Sequence, residues 1–166
     1  MLHPLAPLAE RIATRLKARG ETVAVAEGSA GGLISAALLS QAGASAYFLG
    51  GAVVYTAPAF KALTAIDPQS LRDRKIRSAT ADYTLLMARD IRSSHGATWG
   101  LCESGASGPT GNGYGDAAGH VALGVAGPVT ATKVIETGSD DRMANMQAFA
   151  EAGLALFLET LEKTPT

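Results

Sequence analysis

The stretch TVAVAEGSAGG, residues 22–32, decides the fold. Residues 22–26 are short, apolar and rich in β-branched side chains, and Gly20 and Gly28 bound them, so they read as a buried strand. The small residues that follow make a turn, and residues 33–40 read as the helix it opens. A strand passing through a tight turn into a helix is the repeating unit of an α/β fold.

Working outward, Leu5, Leu8, Ile12 and Leu16 follow helical spacing, and Gly20 supplies the stop. Residues 51–56 (GAVVYT) read as a second buried strand, and residues 59–64 as a short helix after Pro58. Ser78 or Thr80 can cap a helix that runs to about Ser94, with Tyr83, Met87 and Ile91 on one face. Residues 97–102 form a third strand, followed by a loop of small residues from Glu103 to Gly119. Residues 120–125 and 130–137 pair as a hairpin across Gly127-Pro128, and a helix with Met143, Met146, Phe149, Leu154, Phe157 and Leu161 on one side closes the chain. The expected architecture is α/β: a three-layer α/β/α sandwich with a mixed central sheet. No linker or internal repeat divides residues 1–166, so one domain is expected.

Composition limits the function. The chain has 14 basic and 15 acidic residues, a net charge of −1, so it lacks the basic footprint of a nucleic-acid binder. Pro4, Pro7, Glu10 and Arg11 interrupt any apolar signal core, and no run of about 18 apolar residues exists to span a membrane. With Cys102 as the single cysteine, no internal disulfide can form, and the cytoplasm is the expected compartment. His3, His95 and His120 share no metal-ligand spacing, so no metal site is expected. The charge run Arg72-Asp73-Arg74-Lys75 with Arg77 reads as a solvated helix end.

Three constellations can carry chemistry. In Glu27-Gly28-Ser29-Ala30-Gly31-Gly32, glycines allow close backbone approach and a helix start offers free N–H groups, although tight packing explains the same residues. Glu27 ends an otherwise apolar strand, which is costly unless something pairs with it; loop N–H groups or Ser29 are the expected partners. The second set is Ser45, Tyr55 and Lys61: a serine with a lysine or tyrosine base, if the turn folds them together. The third is Ser104-Gly105-Ala106-Ser107-Gly108, whose backbone can face a ligand or an oxyanion. His120 sits where it can reach that loop.

Together these motifs resemble the CinA C-terminal domain family, the nicotinamide mononucleotide deamidases. The family runs E-S-x-T-G-G, then G-S-S-x-W/Y-F, G-x-V-x-Y-S/T-N-x-A-K, S-G-I-A-G-P, K-P-x-G-T-V and a final D-R-x-x-V-R helix. The counterparts here are residues 27–32, 43–48, 51–56, 104–111, 116–121 and Asp141-Arg142. The resemblance implies hydrolysis of the carboxamide of nicotinamide mononucleotide to nicotinate mononucleotide and ammonia. It maps the serine nucleophile to Ser45 and the active-site tyrosine to Tyr55, with Lys61 standing one position beyond the family lysine, where Phe60 lies. Glu27, Ser29, Gly31, Gly32, Ser104, Gly105, Ser107, Gly108 and Arg142 would bind substrate, without cofactor, in a homodimer. Gly28, Ala30, Ala57, Asp116 and Met146 replace family hydroxyl, amide or cationic positions. A bound phosphate is therefore expected at backbone N–H groups rather than among cationic side chains. The same changes fit an alternative, a binding or regulatory module that keeps the pocket without the activity.

Overall fold

The computed structural model describes residues 2–166. Five strands form one mixed sheet in the order β2-β1-β3-β4-β5: β1 (Val23–Glu27), β2 (Phe48–Val53), β3 (Trp99–Gly105), β4 (His120–Ala126) and β5 (Thr130–Glu136). β1 pairs in parallel with β2 and β3, β4 pairs antiparallel with β3, and β5 antiparallel with β4.

Alternation along the strands sorts large and small residues to opposite faces. Val23, Val25, Trp99, Leu101, Val121, Leu123 and Val125 point to one face and join a core with α1 (Ala6–Arg19), α2 (Leu33–Leu39) and α6 (Arg142–Lys163). Ala24, Ala26, Cys102 and Ala126 point to the other, where they meet α5 (Ala81–His95) and residues of α3 (Ala57–Leu63) and α4 (Pro68–Asp73). On that face Gly100 and Gly124 let the α5 backbone lie against the sheet. A Cβ on Gly100 would fall 1.9 Å from the Ala88 carbonyl oxygen, and one on Gly124 would fall 2.6 Å from the Thr84 carbonyl carbon. The three-layer α/β/α sandwich expected from the sequence is the fold observed.

Two strands differ from expectation. β2 lies at Phe48–Val53 instead of 51–56 and is an edge strand with alternate residues exposed, not a buried one. β3 continues to Gly105, which puts Glu103 inside the sheet where a loop was expected to begin. Thr80, not Ser78, caps α5, accepting from the Tyr83 N–H at 3.2 Å. Among the described residues no helix is long and apolar enough to cross a membrane.

Candidate active site

Because β1 leads to β2 on one side and β3 lies on the other, the chain diverges at the carboxyl ends of β1 and β3. In open α/β sheets that is where ligands bind. A cavity of about 540 Å3 opens here, with Gly28, Ser29, Ser104 and Gly105 at its base. Tyr55, Phe60, Tyr83 and Tyr114 supply aromatic wall, and Arg72 and Arg77 supply charge.

The turn after β1 is built on two buried carboxylates. One oxygen of Glu27 accepts from the N–H groups of Gly32 (3.2 Å) and Ile34 (2.9 Å). The other accepts from the Ser35 N–H (2.9 Å) and hydroxyl (2.7 Å). Glu27 thus takes donors that the first turn of α2 leaves without helical partners. The turn preceding that helix requires glycine, since Gly31 and Gly32 have φ of +67° and +101°.

Glu103, on the neighbouring strand, binds the other half of the turn. Its Oε2 accepts from Gly28 N–H (3.0 Å) and Ala30 N–H (2.8 Å), while its Oε1 accepts from the Ser29 hydroxyl in a short hydrogen bond. Burial, opposed by these hydrogen bonds and aided by the nearby Glu27 charge, pushes the Glu103 carboxyl up to about 7. Ser29 therefore pairs with Glu103, and Glu27 pairs with the loop amides.

This arrangement leaves few amides of the turn free for an anion. The N–H groups of Gly28, Ala30 and Gly32 are spent on the two carboxylates, and that of Gly31 on the Gly28 carbonyl. Gly31 and Gly32 are absent from the cavity wall, and the Met146 side chain packs over Gly31. Positive charge comes instead from Arg72 and Arg77, which belong to the run read as a solvated helix end. Arg77 reaches Asp116, 39 positions along the chain, through two hydrogen bonds of 2.6 and 3.1 Å, and covers the Tyr114 ring at 5.3 Å. That pair holds the Asp116 carboxyl below the usual carboxylate range.

The remaining predicted residues divide. Arg142, at the start of α6, donates to the Tyr55 hydroxyl (3.1 Å) and the Gly108 carbonyl (2.5 Å), so these three meet at the rim. The Ser104 hydroxyl accepts from the Ala79 N–H (3.0 Å), beside the cavity. His120 lies behind that contact, with Nε2 on the Ala79 carbonyl (2.8 Å) and Nδ1 on Glu136. Burial lowers the His120 pKa, but Glu136, the Ala79 carbonyl and Asp116 outweigh it and raise it overall. Ser107 is buried away from the cavity, its carbonyl accepting from Asn145 (2.9 Å).

Ser45, Tyr55 and Lys61 are not brought together within one chain. Ser45 is exposed on a one-turn helix before β2, and Tyr55 follows the far end of that strand. Six strand residues at about 3.3 Å each place the two roughly 20 Å apart. Lys61 is exposed, while Phe60 is buried, lines the cavity and stacks on Tyr83 at 6.4 Å. Thr56 starts α3 as a regular helix, accepting Phe60 N–H at 2.9 Å, so no bulge turns the lysine inward.

A family model described as the CinA C-terminal domain matches residues 5–161. The chain belongs to the CinA C-terminal domain family. It is 33% identical over 146 residues to a CinA-like protein of Salinibacter ruber, covering 88% of this chain and 35% of that one. It is 38% identical over 122 residues to a CinA-like protein of Prochlorococcus marinus, covering 73% and 28%. The chain thus spans about a third of the length of these relatives. A competence-damaged protein (CinA) superfamily protein from Klebsiella pneumoniae superposes with a TM-score of 0.87 at 25% identity, over 96% of this chain and 99% of that one. The competence/damage inducible protein CihA from Agrobacterium tumefaciens superposes at 0.85 with 26% identity, over 96% of each. Within the CinA domain, the sequence signal that marks Arg77 is faint, because its partner Asp116 is remote. Glu103 was discoverable only by extending β3 past Cys102.

Proposed function

We propose that this CinA domain is an amidohydrolase that cleaves the carboxamide of nicotinamide mononucleotide, releasing ammonia and leaving nicotinate mononucleotide. The observation that carries this reading is the cavity at the ends of β1 and β3. Its aromatic side chains suit a flat pyridine ring, and Arg72 and Arg77 suit a phosphate. The hydrogen bond from Arg142 to Tyr55 gives the rim a polar edge that suits a nucleotide. The family resemblance adds a homodimer, and Ser45 can act at a Tyr55 site only if a second copy brings it there. Light scattering that finds a 16.9 kDa species would remove that route.

A second reading is a binding module, favoured by Asp116, which neutralises Arg77 and competes with a phosphate for it. Ammonia release separates the two. Purified protein is incubated with nicotinamide mononucleotide, and separately with nicotinamide and nicotinamide riboside. Release from the nucleotide above buffer is the expected result. No release from any of the three, with a ligand-induced rise in melting temperature, would establish the binding module.

A further inference from the structure

We propose that Ser29 and Glu103 are the nucleophile and general base of this domain, acting on a carboxamide seated against the turn after β1. The inference rests on the amidohydrolase reading above but assigns its chemistry to a pair within one chain.

Four observations converge on it. Ser29 lies on the cavity wall, and Glu103 stands directly behind it, only 1% exposed. The Ser29 hydroxyl donates to Oε1 of Glu103, and no other donor uses that oxygen. The second oxygen is pinned by Gly28 and Ala30, so the carboxylate cannot rotate away from the serine. Among the described residues, the Ser29 N–H is the one amide of residues 28–32 that donates to no protein acceptor. It is left for an oxyanion formed at the carbon that Ser29 attacks.

The environment suits a base. Glu27 from β1 is the titratable group whose charge acts on Glu103; Cys102, its neighbour on β3, points to the opposite face, and β4 sets Leu123 opposite Glu103 in register. Among the described residues no cation pairs with the carboxylate. Its titration near 7 lets it accept a proton and release it again at neutral pH.

The step balances with water alone. Ser29 Oγ bonds to the carboxamide carbon while its proton passes to Glu103 Oε1, and the carbonyl electron pair moves to oxygen. When the carbonyl re-forms, the C–N bond breaks and Glu103 protonates the leaving nitrogen, which departs as ammonia. Water then attacks the Ser29 ester, gives a proton to Glu103, and the C–Oγ bond breaks as Oγ regains that proton. The products are the carboxylic acid and the original pair.

The competing explanation is that Glu103 merely fastens the turn. Glu103→Gln separates the two. Its carbonyl can still accept from Gly28 and Ala30, and its amide can donate to a reversed Ser29 hydroxyl, so the turn stays fastened while the base is lost. Ammonia release from nicotinamide mononucleotide is measured for the full chain, Ser29→Ala, Glu103→Gln and Ser45→Ala. Circular dichroism and melting confirm that each is folded. Ser29→Ala and Glu103→Gln should each lose roughly a hundredfold or more. Parental kcat/KM should rise with pH through about 7, and the residual rate of Glu103→Gln should be flat. In parallel, the parent is treated with a fluorophosphonate and digested for mass mapping, and the adduct is expected on Ser29 and absent from Glu103→Gln.

Parental activity in Ser29→Ala, or an adduct on Ser45 instead, would overturn the assignment and leave the amidohydrolase reading standing. If the parent releases no ammonia from any of the three amides, the amidohydrolase reading fails. The labelling then still decides: adduct at Ser29 that depends on Glu103 keeps the reactive pair, and an unlabelled Ser29 removes it.

Discussion

Glu27 and Glu103 each come directly after the last β1–β3 pair, Ala26 and Cys102, and both are buried at the same edge of the sheet. They hold opposite halves of one turn, yet their partners differ in kind. Both oxygens of Glu27 accept backbone N–H groups, which donate under every condition. One oxygen of Glu103 accepts only a hydroxyl, which can donate, accept or lose its proton. Glu27 is consequently a fixed fastener of α2, whereas Glu103 carries a reversible bond at the cavity wall. The nature of the donor, more than burial, separates a structural carboxylate from a chemical one.

The severest test of that contrast removes the fastener. Glu27→Ala strands three backbone donors and a hydroxyl, at about 1–3 kcal/mol for each donor that water cannot satisfy. A loss of roughly 3–5 kcal/mol is expected in urea unfolding. A parental midpoint would mean that solvent already serves those donors.

Next comes pH. The folded pKa of Glu103, about 7, lies above its ordinary 4.5, so the folded state binds the extra proton between these values. That contribution to stability is fully present below about pH 4.5 and is lost as pH rises through 7, a swing on the order of 3 kcal/mol. His120, whose pKa is also raised, adds a slope of the same sign, so the comparison must be made against Glu103→Gln. The variant should show a smaller fall in stability between pH 5 and pH 8 than the parent. Superimposable pH–stability curves would contradict the buried, proton-sharing environment.

The smallest effect separates the two isosteres. Glu27→Gln must point its NH2 group at a backbone N–H whichever way it turns, and should cost about 1–3 kcal/mol. Glu103→Gln meets only a hydroxyl that can reverse, and should cost less than about 1 kcal/mol near neutral pH. Equal costs in thermal melts at pH 7 would erase the distinction.

How much of this was legible in the sequence follows the same physics. The layers were readable because V-A-V-A and L-G-V-A runs encode a large and a small face directly. Glu27 was readable because a carboxylate interrupts an apolar strand. Glu103 was hidden, since it precedes a run of small residues that resembles a loop, and only its pairing with Leu123 on β4 shows it to be strand. The strand-favouring run Val53-Val54-Tyr55-Thr56 drew β2 three residues too far along, although register with β1 places its start at Phe48. That shift mattered, because the true strand separates Ser45 from Tyr55. Arg77 was masked because an ion pair spanning 39 residues leaves no local pattern.

The close seat of α5 on Gly100 and Gly124 has a consequence for how this domain can diverge. Where side chains separate two layers, a larger residue on one side can be offset by a smaller one on the other. Backbone against backbone leaves nothing to exchange, so the spacing of that layer is a constant that neighbouring mutations cannot retune. Tyr83, in the first turn of α5, inherits that constant as part of the cavity wall. Pocket chemistry can therefore drift through hydroxyls and charges, as at Ser29, Glu103 and Asp116, while pocket width stays pinned by two residues without side chains.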